Sequence, residues 1–537
     1  MKKFDKEKLI NLIIILIMFV GMSIRLVNIG GMPNALNCDE ASEGYEAYSI
    51  WKYGIDRNGN HLPVFLKSWG SGQNILLAWM MIPFIAMLGL NTIAIRLPMA
   101  ILSCITLVLF YFLLKKITNK NVAIIGLAFL AICPWNIEKS RWALESNVFP
   151  DIILIATYLL VVGLNDKNKF CYWLSFIMYG LSVYAYGTAY MFLPLFLIAL
   201  LITLVIKKEI SWKKALGSLI VSTIVALPII LYVAIGVFDL PQINLPFITI
   251  PKLTVNRYNE ITSNPKLTVN RYNEITSNSS SNFVKTCFFN FCGALKVLLY
   301  GNDGLDFNSI KPYGLFYPFS ILFTFIGAWR FLKEDSDIKY NYIFNIWLIV
   351  SLLLFFFVEP NINRINIIMF PMIIYTSIGI AFICEKSKTI VIILSIIYAI
   401  FFILFVRAYF KQNYKNYFTF DIGLKEVIEY ADSKDENVVI TNRLKEPYIY
   451  VLFYTKYDTR DFVNTVKVKD ENVEYRQVES FGKYSFENLN DINDFQKNTI
   501  YIIKKEQYED LKSKESNLND NNIKITDFGK LVSIEVK

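Results

Sequence analysis

The chain has 537 residues, of which 54% are hydrophobic and 18% are charged, and its formal net charge is +9. A soluble protein carries about a quarter of its residues as charged side chains, so this composition argues against a soluble enzyme. Much of the basic excess lies in short loops between apolar runs, a distribution that orients membrane helices and does not indicate nucleic-acid binding. The single histidine, His61, argues against a His-based metal site or a Ser-His-Asp triad.

The first apolar run, Leu9–Ile29, is long enough to cross a bilayer and follows a basic N-terminal segment. It lacks a small-residue cleavage site and is followed by further spans, which favours a retained helix over a signal peptide. The positive-inside rule then places the N-terminal lysines in the cytoplasm and residues 31–93 outside.

The apolar piece Ile75–Leu90 decides the orientation of every later span. If it crosses the membrane, Lys115 and Lys116 lie outside. If it lies at the outer interface, Ile93–Leu114 runs inward and both lysines are cytoplasmic. We favour the second alternative, because it also places the later basic loops inside. Those loops carry Lys167, Lys169, Lys207, Lys208, Lys213, Lys214, Arg330, Lys333, Lys339, Lys386 and Lys388.

This assignment predicts about eleven spans in an all-α, polytopic membrane domain over residues 1–406, with the N-terminus inside. The spans are 9–29, 94–114, 121–135, 148–164, 170–187, 190–206, 215–237, 312–332, 341–358, 365–383 and 389–406. The external segments are 31–93, 136–147, 238–311 and 407–537. Every candidate group for chemistry falls in these segments, on one face of the membrane.

The composition becomes polar from Arg407 onward, which predicts a small extracytoplasmic α/β domain over residues 407–537. Within it we predict strands at Asn437–Thr441, Tyr448–Tyr454 and Thr499–Lys504, and a helix at Leu424–Ala431. Upstream, residues 251–278 contain one sequence written twice in tandem. Two copies are too few for a solenoid and are typical of a duplication in an exposed loop.

Two adjacent acids, Asp39 and Glu40, follow the first span closely. Acids in a loop are usually solvated surface groups, which is the alternative to a functional role. The residues that follow, Glu43 to Tyr48, form an amphipathic stretch suited to the membrane surface. A carboxylate held there meets a lipid headgroup and a polar acceptor together, so both acids are catalytic candidates.

A second group lies in the loop of residues 134–147, which joins two spans on the outer face. Trp135 and Trp142 fit an aromatic belt at the interface, which is the structural alternative. Arg141 and Glu145 are four residues apart, a spacing that puts two residues on one helical face. Charges this close to apolar spans usually face a cavity. Arg141 is therefore a candidate phosphate ligand, and Glu145 is a catalytic candidate.

Two later loops carry further candidates. Arg364 lies between two strongly apolar spans, with Glu359 as its charged neighbour. A guanidinium can bind a phosphate through two parallel hydrogen bonds, and a snorkelling membrane anchor is the equal alternative. The turn-rich loop from Gly301 to Asp306 is either a polar site loop or a simple connector.

Three stretches of the first hundred residues form a recognisable pattern. They are Asp39-Glu40-Ala41-x-x-Gly44-Tyr45-x-Ala47-Tyr48, Gly54-x-Asp56-x-x-Gly59-x-x-Leu62-Pro63 and Gly89-Leu90-x-x-x-Ala94-x-Arg96-Leu97-Pro98. The pattern resembles bacterial glycosyltransferase family 39, the relatives of protein O-mannosyltransferases and of the lipid A aminoarabinose transferase. Pro134-Trp135, Ser140-Arg141 and Glu145-x-Asn147 match the family's second loop, and Asp303 and Arg364 match weaker later positions. The resemblance covers residues 1–406.

The resemblance implies a GT-C fold, a multi-span transferase that uses a polyprenyl-phosphate sugar as donor on the outer face. The family's first-loop aspartate falls on Asp39, as base or acceptor-orienting group, and its second-loop acid falls on Glu145. Surface helices in the family's first external loop agree with the interfacial placement of Ile75–Leu90. The chain departs from the family at residues 71–74, where relatives carry a Lys-Pro-Pro-like element, and at Tyr190, where they carry an arginine.

Such a transfer requires a base for the acceptor hydroxyl and cations that stabilise the departing phosphate. Asp39 is the predicted base, Arg141 and Arg364 are the predicted phosphate ligands, and Lys67 is a third candidate. Glu145 orients the acceptor or helps to hold a divalent cation, and we predict no dedicated metal ligands. The lipid-linked donor is already activated, which agrees with the lack of a Walker or Rossmann loop.

Two other classes of protein would also have many spans. If the chain were a lipid-linked sugar transporter or flippase, we would expect charges inside spans and internal repeats. If it were a non-catalytic scaffold that displays residues 407–537 (the tail), it would not need Asp39. The charges gather in outer loops and no half-to-half symmetry is visible, which favours the transferase. Its predicted partners are the lipid donor, the bilayer and a protein, lipid or cell-wall glycan acceptor, without nucleic acid. Its predicted location is the cell membrane.

Overall fold

The computed structural model describes residues 2–68, 72–253, 280–305, 307–332, 338–411, 422–469, 477–489, 495–514 and 523–536. Most of the tandem repeat, from residue 254 onward, lies outside the described residues. The chain divides into two compact units. The helical unit comprises Met1–Ile29, Leu97–Ile230 and Val269–Tyr417, and the mixed unit comprises Gly30–Arg96, Leu231–Thr268 and Phe418–Lys537. This division differs from the single boundary predicted at residue 407, because the polar segment after the first helix groups with the tail.

The α-helices of the first half of the chain are α1 (Lys2–Leu26), α2 (Cys38–Tyr53), α3 (Leu76–Leu88), α4 (Thr92–Ile117), α5 (Lys120–Ile132), α6 (Pro134–Ser140), α7 (Glu145–Asn165), α8 (Lys169–Leu181), α9 (Ala189–Ile206) and α10 (Trp212–Phe238). The later α-helices are α11 (Ser280–Tyr300), α12 (Ser320–Leu332), α13 (Asn341–Leu354), α14 (Ile362–Ile365), α15 (Met369–Cys384), α16 (Lys388–Phe410), α17 (Leu424–Asp432), α18 (Pro447–Thr455), α19 (Thr459–Thr465) and α20 (Lys505–Lys514). The strands are β1 (Phe65–Leu66), β2 (Gln73–Asn74), β3 (Ile243–Leu245), β4 (Ile248–Ile250), β5 (Asn437–Thr441), β6 (Lys467–Val468), β7 (Val478–Phe481), β8 (Tyr484–Glu487), β9 (Thr499–Lys504), β10 (Ile523–Asp527) and β11 (Leu531–Val536).

The protein is a multi-pass membrane protein. Among the described residues, seven helical segments are long and apolar enough to cross a bilayer: Glu7–Leu26, α4, α7, α9, α10, Ile362–Cys384 and α16. The pair α5 and α6, bent by 57°, is an eighth candidate. At the remaining three predicted positions, α8, α12 and α13 have 13, 13 and 14 residues, fewer than the about 20 that a span needs. The count of eleven therefore stays a prediction.

Helix α3, in the predicted interfacial piece Ile75–Leu90, has 13 residues. At about 1.5 Å per residue it is roughly 20 Å long, which is shorter than the hydrocarbon core. Its length fits a helix that does not cross the membrane. The side of the membrane on which each loop lies stays a prediction.

The helical unit buries more charge than the sequence suggested. Arg25 in α1 is fully buried and donates hydrogen bonds to the Ser103 hydroxyl (3.1 Å) and to the Asn136 side chain. Lys139 Nζ lies 2.8 Å from an oxygen of Asp151, which is buried in α7. Arg25 and Asp151 lie within predicted spans, so they are exceptions to the expectation that charges collect in outer loops. The reason is that a buried charge with a partner is tolerated inside a helical bundle.

The tail contains the seven-stranded sheet of the mixed unit, with strand order β10-β11-β9-β5-β8-β7-β6. The central strand β5 is parallel to both β8 and β9, and the other pairs are antiparallel. The predicted strands Asn437–Thr441 and Thr499–Lys504 are confirmed as β5 and β9, and α17 confirms the predicted helix.

The predicted strand Tyr448–Tyr454 is wrong, because these residues form helix α18. A short, continuous apolar run has no periodicity that separates a buried strand from a buried helix. Pro447 at the first turn favours the helix, since proline fits that position without loss of a hydrogen bond.

Candidate active site

Asp39 lies in the first turn of α2, where the local sequence fixes the helix start. The Asn37 side chain accepts a hydrogen bond from the Asp39 backbone N–H (2.7 Å), and the Glu40 side chain accepts one from the Asn37 backbone N–H (3.2 Å). This reciprocal arrangement is a capping box. Residues 40–50 that follow are buried, whereas Asp39 is half-buried. The cap thus presents the Asp39 carboxylate at the edge of a buried helix.

Glu40 is paired with Arg96 inside the mixed unit. Arg96 Nε and Nη2 each lie 2.8 Å from one Glu40 oxygen, a bidentate pair whose members are 0% and 1% exposed. Arg96 also donates to the carbonyl oxygens of Pro33 (2.7 Å) and Ala35 (2.8 Å). The geometry makes Glu40 a positioning residue for the segment before Asp39, where the sequence suggested a catalytic candidate.

A second buried network reaches the Asp39 backbone. Arg57 donates to the hydroxyls of Ser42 (2.8 Å) and Ser68 (2.9 Å), and the Ser42 hydroxyl donates to Gln73 Oε1 (2.8 Å). Gln73 Nε2 lies 3.4 Å from the Asp39 carbonyl oxygen. Gln73 belongs to residues 71–74, where the chain departs from the family pattern. In this protein that segment supports Asp39 through an amide instead of carrying a positive charge.

The other side of Arg57 holds two acids. Arg57 Nε lies 3.2 Å from Glu46 Oε1, and the Arg57 backbone N–H donates to Glu46 Oε2 (2.9 Å). Burial raises the pKa of Glu46 to about 8, and the charge of Arg57 opposes this rise. Burial also raises the pKa of Asp56, against the hydrogen bonds that Asp56 accepts from Asn60. Lys67, the third phosphate candidate, is half-buried and donates from Nζ to Gln242 (3.3 Å).

In the helical unit, Arg141 and Glu145 do not share a helical face. Arg141 terminates α6 and Glu145 begins α7, so the predicted spacing falls across a helix boundary. Arg141 is 0% exposed and donates to the carbonyl oxygens of Ile24 (2.7 Å) and Asn28 (3.2 Å). Its guanidinium carbon also lies 5.0 Å from the centre of the Phe410 ring. Glu145 is half-buried at the start of its helix.

The structure brings the two later candidate loops together. Asp303 Oδ2 accepts hydrogen bonds from the Ile362 backbone N–H (2.9 Å) and from the Asn308 side chain (2.7 Å). Arg364, two residues beyond Ile362, lies 2.7 Å from Glu359 Oε2, with side-chain exposures of 44% and 40%. Asp303 therefore fixes the loop that presents a partly exposed guanidinium.

The candidates divide between the two units. Asp39, Glu40 and Lys67 belong to the mixed unit, and Arg141, Glu145 and Arg364 belong to the helical unit. Within the described parts of the chain, no group of three or more His, Cys, Asp or Glu side chains could hold a metal ion.

The sequence analysis assigned no role to three buried residues that hold the Asp39 segment: Arg57, Gln73 and Arg96. For Arg96 a signal existed, because an arginine next to an apolar span usually pairs with another group. No local pattern marks Arg57 or Gln73, since their partners lie elsewhere in the chain.

Comparison with known proteins agrees with this architecture. Residues 73–232 match the family model described as dolichyl-phosphate-mannose-protein mannosyltransferase. The crystal structure of ArnT from Cupriavidus metallidurans bound to undecaprenyl phosphate superimposes with a TM-score of 0.57 at 11% identity, over 97% of this chain and 98% of that chain. The chain has the GT-C fold. The family resemblance seen in the sequence, to GT-C membrane glycosyltransferases, is confirmed.

Two further comparisons extend over different lengths. The Archaeoglobus fulgidus oligosaccharyltransferase tethered to an acceptor peptide with the NVT sequon has a TM-score of 0.52 at 12% identity, over 84% of this chain and 64% of that chain. An uncharacterized protein of Aquifex aeolicus is 32% identical over 107 residues, which are 20% of this chain. The match spans 21% of the length of that relative.

Proposed function

We propose that this chain is a membrane glycosyltransferase that moves a sugar from a polyprenyl-phosphate donor to an acceptor on the outer face of the membrane. The observation that carries the proposal is the half-buried Asp39 carboxylate, held by a capping box and a buried ion pair within a GT-C fold. The similar ArnT structure is bound to undecaprenyl phosphate, which supports a lipid-phosphate donor. The proposed donor sugar is a hexose or a pentose.

Asp39 acts as the base in this proposal. It takes the proton of the acceptor hydroxyl as the acceptor oxygen bonds to the anomeric carbon. The bond between that carbon and the phosphate oxygen breaks, and polyprenyl phosphate leaves with the electron pair. The sugar passes through an oxocarbenium-like state, as in glycoside hydrolysis. The acceptor is a hydroxyl-bearing protein, lipid or glycan.

Arg364 is our first candidate for the donor phosphate, because its guanidinium is partly exposed. A phosphate would compete with Glu359 for it, and exposed ion pairs of this kind are weak. Arg141 stays a candidate from the sequence, although its hydrogen bonds to backbone carbonyls favour a packing role. Lys67 is the third candidate, and Glu145 would orient the acceptor or help to hold a divalent cation.

The experiment is sugar transfer by the purified full-length protein in nanodiscs. A panel of labelled polyprenyl-phosphate pentoses and hexoses is supplied with lipid, peptide and glycan acceptors, and release of polyprenyl phosphate is measured. Asp39→Asn should lower the rate on the order of a hundredfold to ten-thousandfold, because a positioned base is lost. Glu479→Gln, an exposed change on β7, is the matched control.

Near-normal release by folded Asp39→Asn would remove this residue from the mechanism. Movement of a labelled lipid-linked sugar across the bilayer without release of polyprenyl phosphate would favour the transporter. That alternative keeps some support from the charges buried in the helical unit.

The orientation of the chain is part of the proposal. We expect Lys115, Lys207 and Lys386 in the cytoplasm and the tail outside, because the basic loops then all lie inside. Reporter fusions after Leu114 and after Lys537 measure this. A cytoplasmic signal from the fusion after Lys537 would reverse the assignment.

A further inference from the structure

Within the mixed unit, the tail packs directly against helix α2. The Tyr45 hydroxyl donates a hydrogen bond to the Tyr457 carbonyl oxygen (2.8 Å) and lies 3.1 Å from the Thr459 hydroxyl. Gly44 allows this approach, since a Cβ there would lie only 2.9 Å from the Phe453 ring. These contacts hold α18 beside α2.

The same packing brings the first turn of α18 to the start of α2. The Tyr450 hydroxyl donates to the Leu36 carbonyl oxygen (3.3 Å), just before α2 begins. The Arg57 guanidinium carbon lies 5.8 Å from the centre of the Tyr448 ring. Glu446 is the N-cap residue of α18 and is half-buried. The first turn of α18, with Glu446 at its cap, therefore packs against the start of α2, which carries the proposed base.

The electrostatic neighbours of Glu446 identify its surroundings. The charges of Arg57, Lys445 and Asp39 act on its carboxyl group, and Glu446 in turn acts on the Cys38 thiol. Burial raises the pKa of Glu446 to about 7; Arg57 and Lys445 oppose this rise, and Asp39 adds to it. Burial also raises the pKa of Cys38, so that thiol stays neutral near physiological pH. Glu446 thus has a pKa near neutral pH and lies within electrostatic range of Asp39; Glu46, which faces Arg57 from α2, also has a raised pKa, at about 8.

We propose that Glu446 is a second acid of the Asp39 site and promotes proton uptake by Asp39 from the acceptor hydroxyl. This inference rests on the proposed transferase function. Neighbouring carboxylates disfavour each other's charged forms, so an ionised Glu446 makes proton transfer to Asp39 more favourable. The bond changes are those of the transfer step, in which the proton goes to Asp39 and the electron pair goes to polyprenyl phosphate. Glu446 acts through Asp39 and is a positioning residue.

The test compares the full-length protein with Glu446→Gln, Glu446→Asp and Glu479→Gln in nanodiscs. Release of polyprenyl phosphate from the labelled donor panel, with the same acceptors, is measured across the neutral pH range. The unaltered protein should gain rate as the pH rises through about 7, because Glu446 ionises there; Glu46, with a pKa of about 8, is present in every variant, so the part of the rise that Glu446→Gln removes belongs to Glu446. Glu446→Gln should lose this rise and on the order of tenfold in kcat, with the donor KM unchanged. Glu446→Asp should keep the rise with a shifted midpoint, and Glu479→Gln should match the unaltered protein.

An unchanged rate and pH profile in folded Glu446→Gln would overturn the inference and leave the transferase function standing. No release by the unaltered protein with any donor would overturn the proposed function, and this inference with it. Thermal unfolding of each variant detects a loss of fold. If Glu446→Gln does not fold, Glu446→Asp decides, and an unshifted midpoint would overturn the inference.

Discussion

Two arginine–glutamate pairs in this protein use the same chemical groups in opposite settings. Arg96 and Glu40 are 0% and 1% exposed and meet through two 2.8 Å contacts. Arg364 and Glu359 meet at 2.7 Å but are 44% and 40% exposed. The buried pair fixes the backbone before Asp39, whereas the exposed pair keeps part of its guanidinium accessible to a ligand.

The difference follows from solvation. Removing one member of a buried pair leaves the other charge without water or a counter-ion, which costs about 3–5 kcal/mol. An exposed pair contributes only about 0–1 kcal/mol, since water and salt replace the partner. We therefore expect Arg96 to stabilise the fold and Arg364 to be able to exchange its internal partner for a ligand.

The largest effect on stability should come from Arg96→Ala. It leaves Glu40 buried and releases the carbonyl oxygens of Pro33 and Ala35, so the free energy of unfolding should fall by about 3–5 kcal/mol. Thermal unfolding of the purified protein measures the change. Arg364→Ala is the matched control and should cost no more than about 1 kcal/mol. Equal losses in the two variants would contradict the distinction between the pairs.

A smaller effect, on donor binding, is expected from Arg364→Ala. Hydrogen bonds to a charged group contribute about 1.5–3 kcal/mol, so the Kd for a polyprenyl-phosphate donor should rise about tenfold or more. Arg364→Lys should restore part of the affinity, because an ammonium cannot bind two phosphate oxygens in a planar, bidentate way. Donor titration measures both variants. Unchanged affinity in both would remove Arg364 from the phosphate site; unchanged affinity in Arg141→Ala as well would leave Lys67 as the next candidate.

The smallest effect separates packing from ligand binding at Arg141. Arg141→Ala removes hydrogen bonds to the carbonyl oxygens of Ile24 and Asn28, which should lower the free energy of unfolding by about 1–3 kcal/mol. Donor affinity of the folded variant should stay near normal. If the donor Kd of Arg141→Ala rises as much as that of Arg364→Ala, the result would support Arg141 as a ligand of the donor phosphate.

Local patterns in the sequence carry the start of helix α2 but not the side chains that hold it. Asp39 follows the first span in the same polar segment, and Asn37 with Glu40 has the spacing of a capping box, which the structure contains. The spacing of Arg141 and Glu145 predicted a shared helical face, which is wrong. A four-residue interval indicates a shared face only inside one helix, and Arg141 ends α6 whereas Glu145 begins α7. The apolar run Tyr448–Tyr454 was predicted to be a strand but is a helix, because a short continuous apolar run has no periodicity that separates the two.

The sequence by itself determined that this is a multi-pass membrane protein, because long apolar runs must match the thickness of a bilayer. It also identified the GT-C resemblance through residues clustered near Asp39. The tertiary structure alone decided which charges are buried and which part of the tail packs against α2. Glu40 and Arg96 are 56 residues apart, and Glu446 comes from the tail. Periodicity and spacing describe neighbours in the chain, whereas these pairs depend on long-range packing.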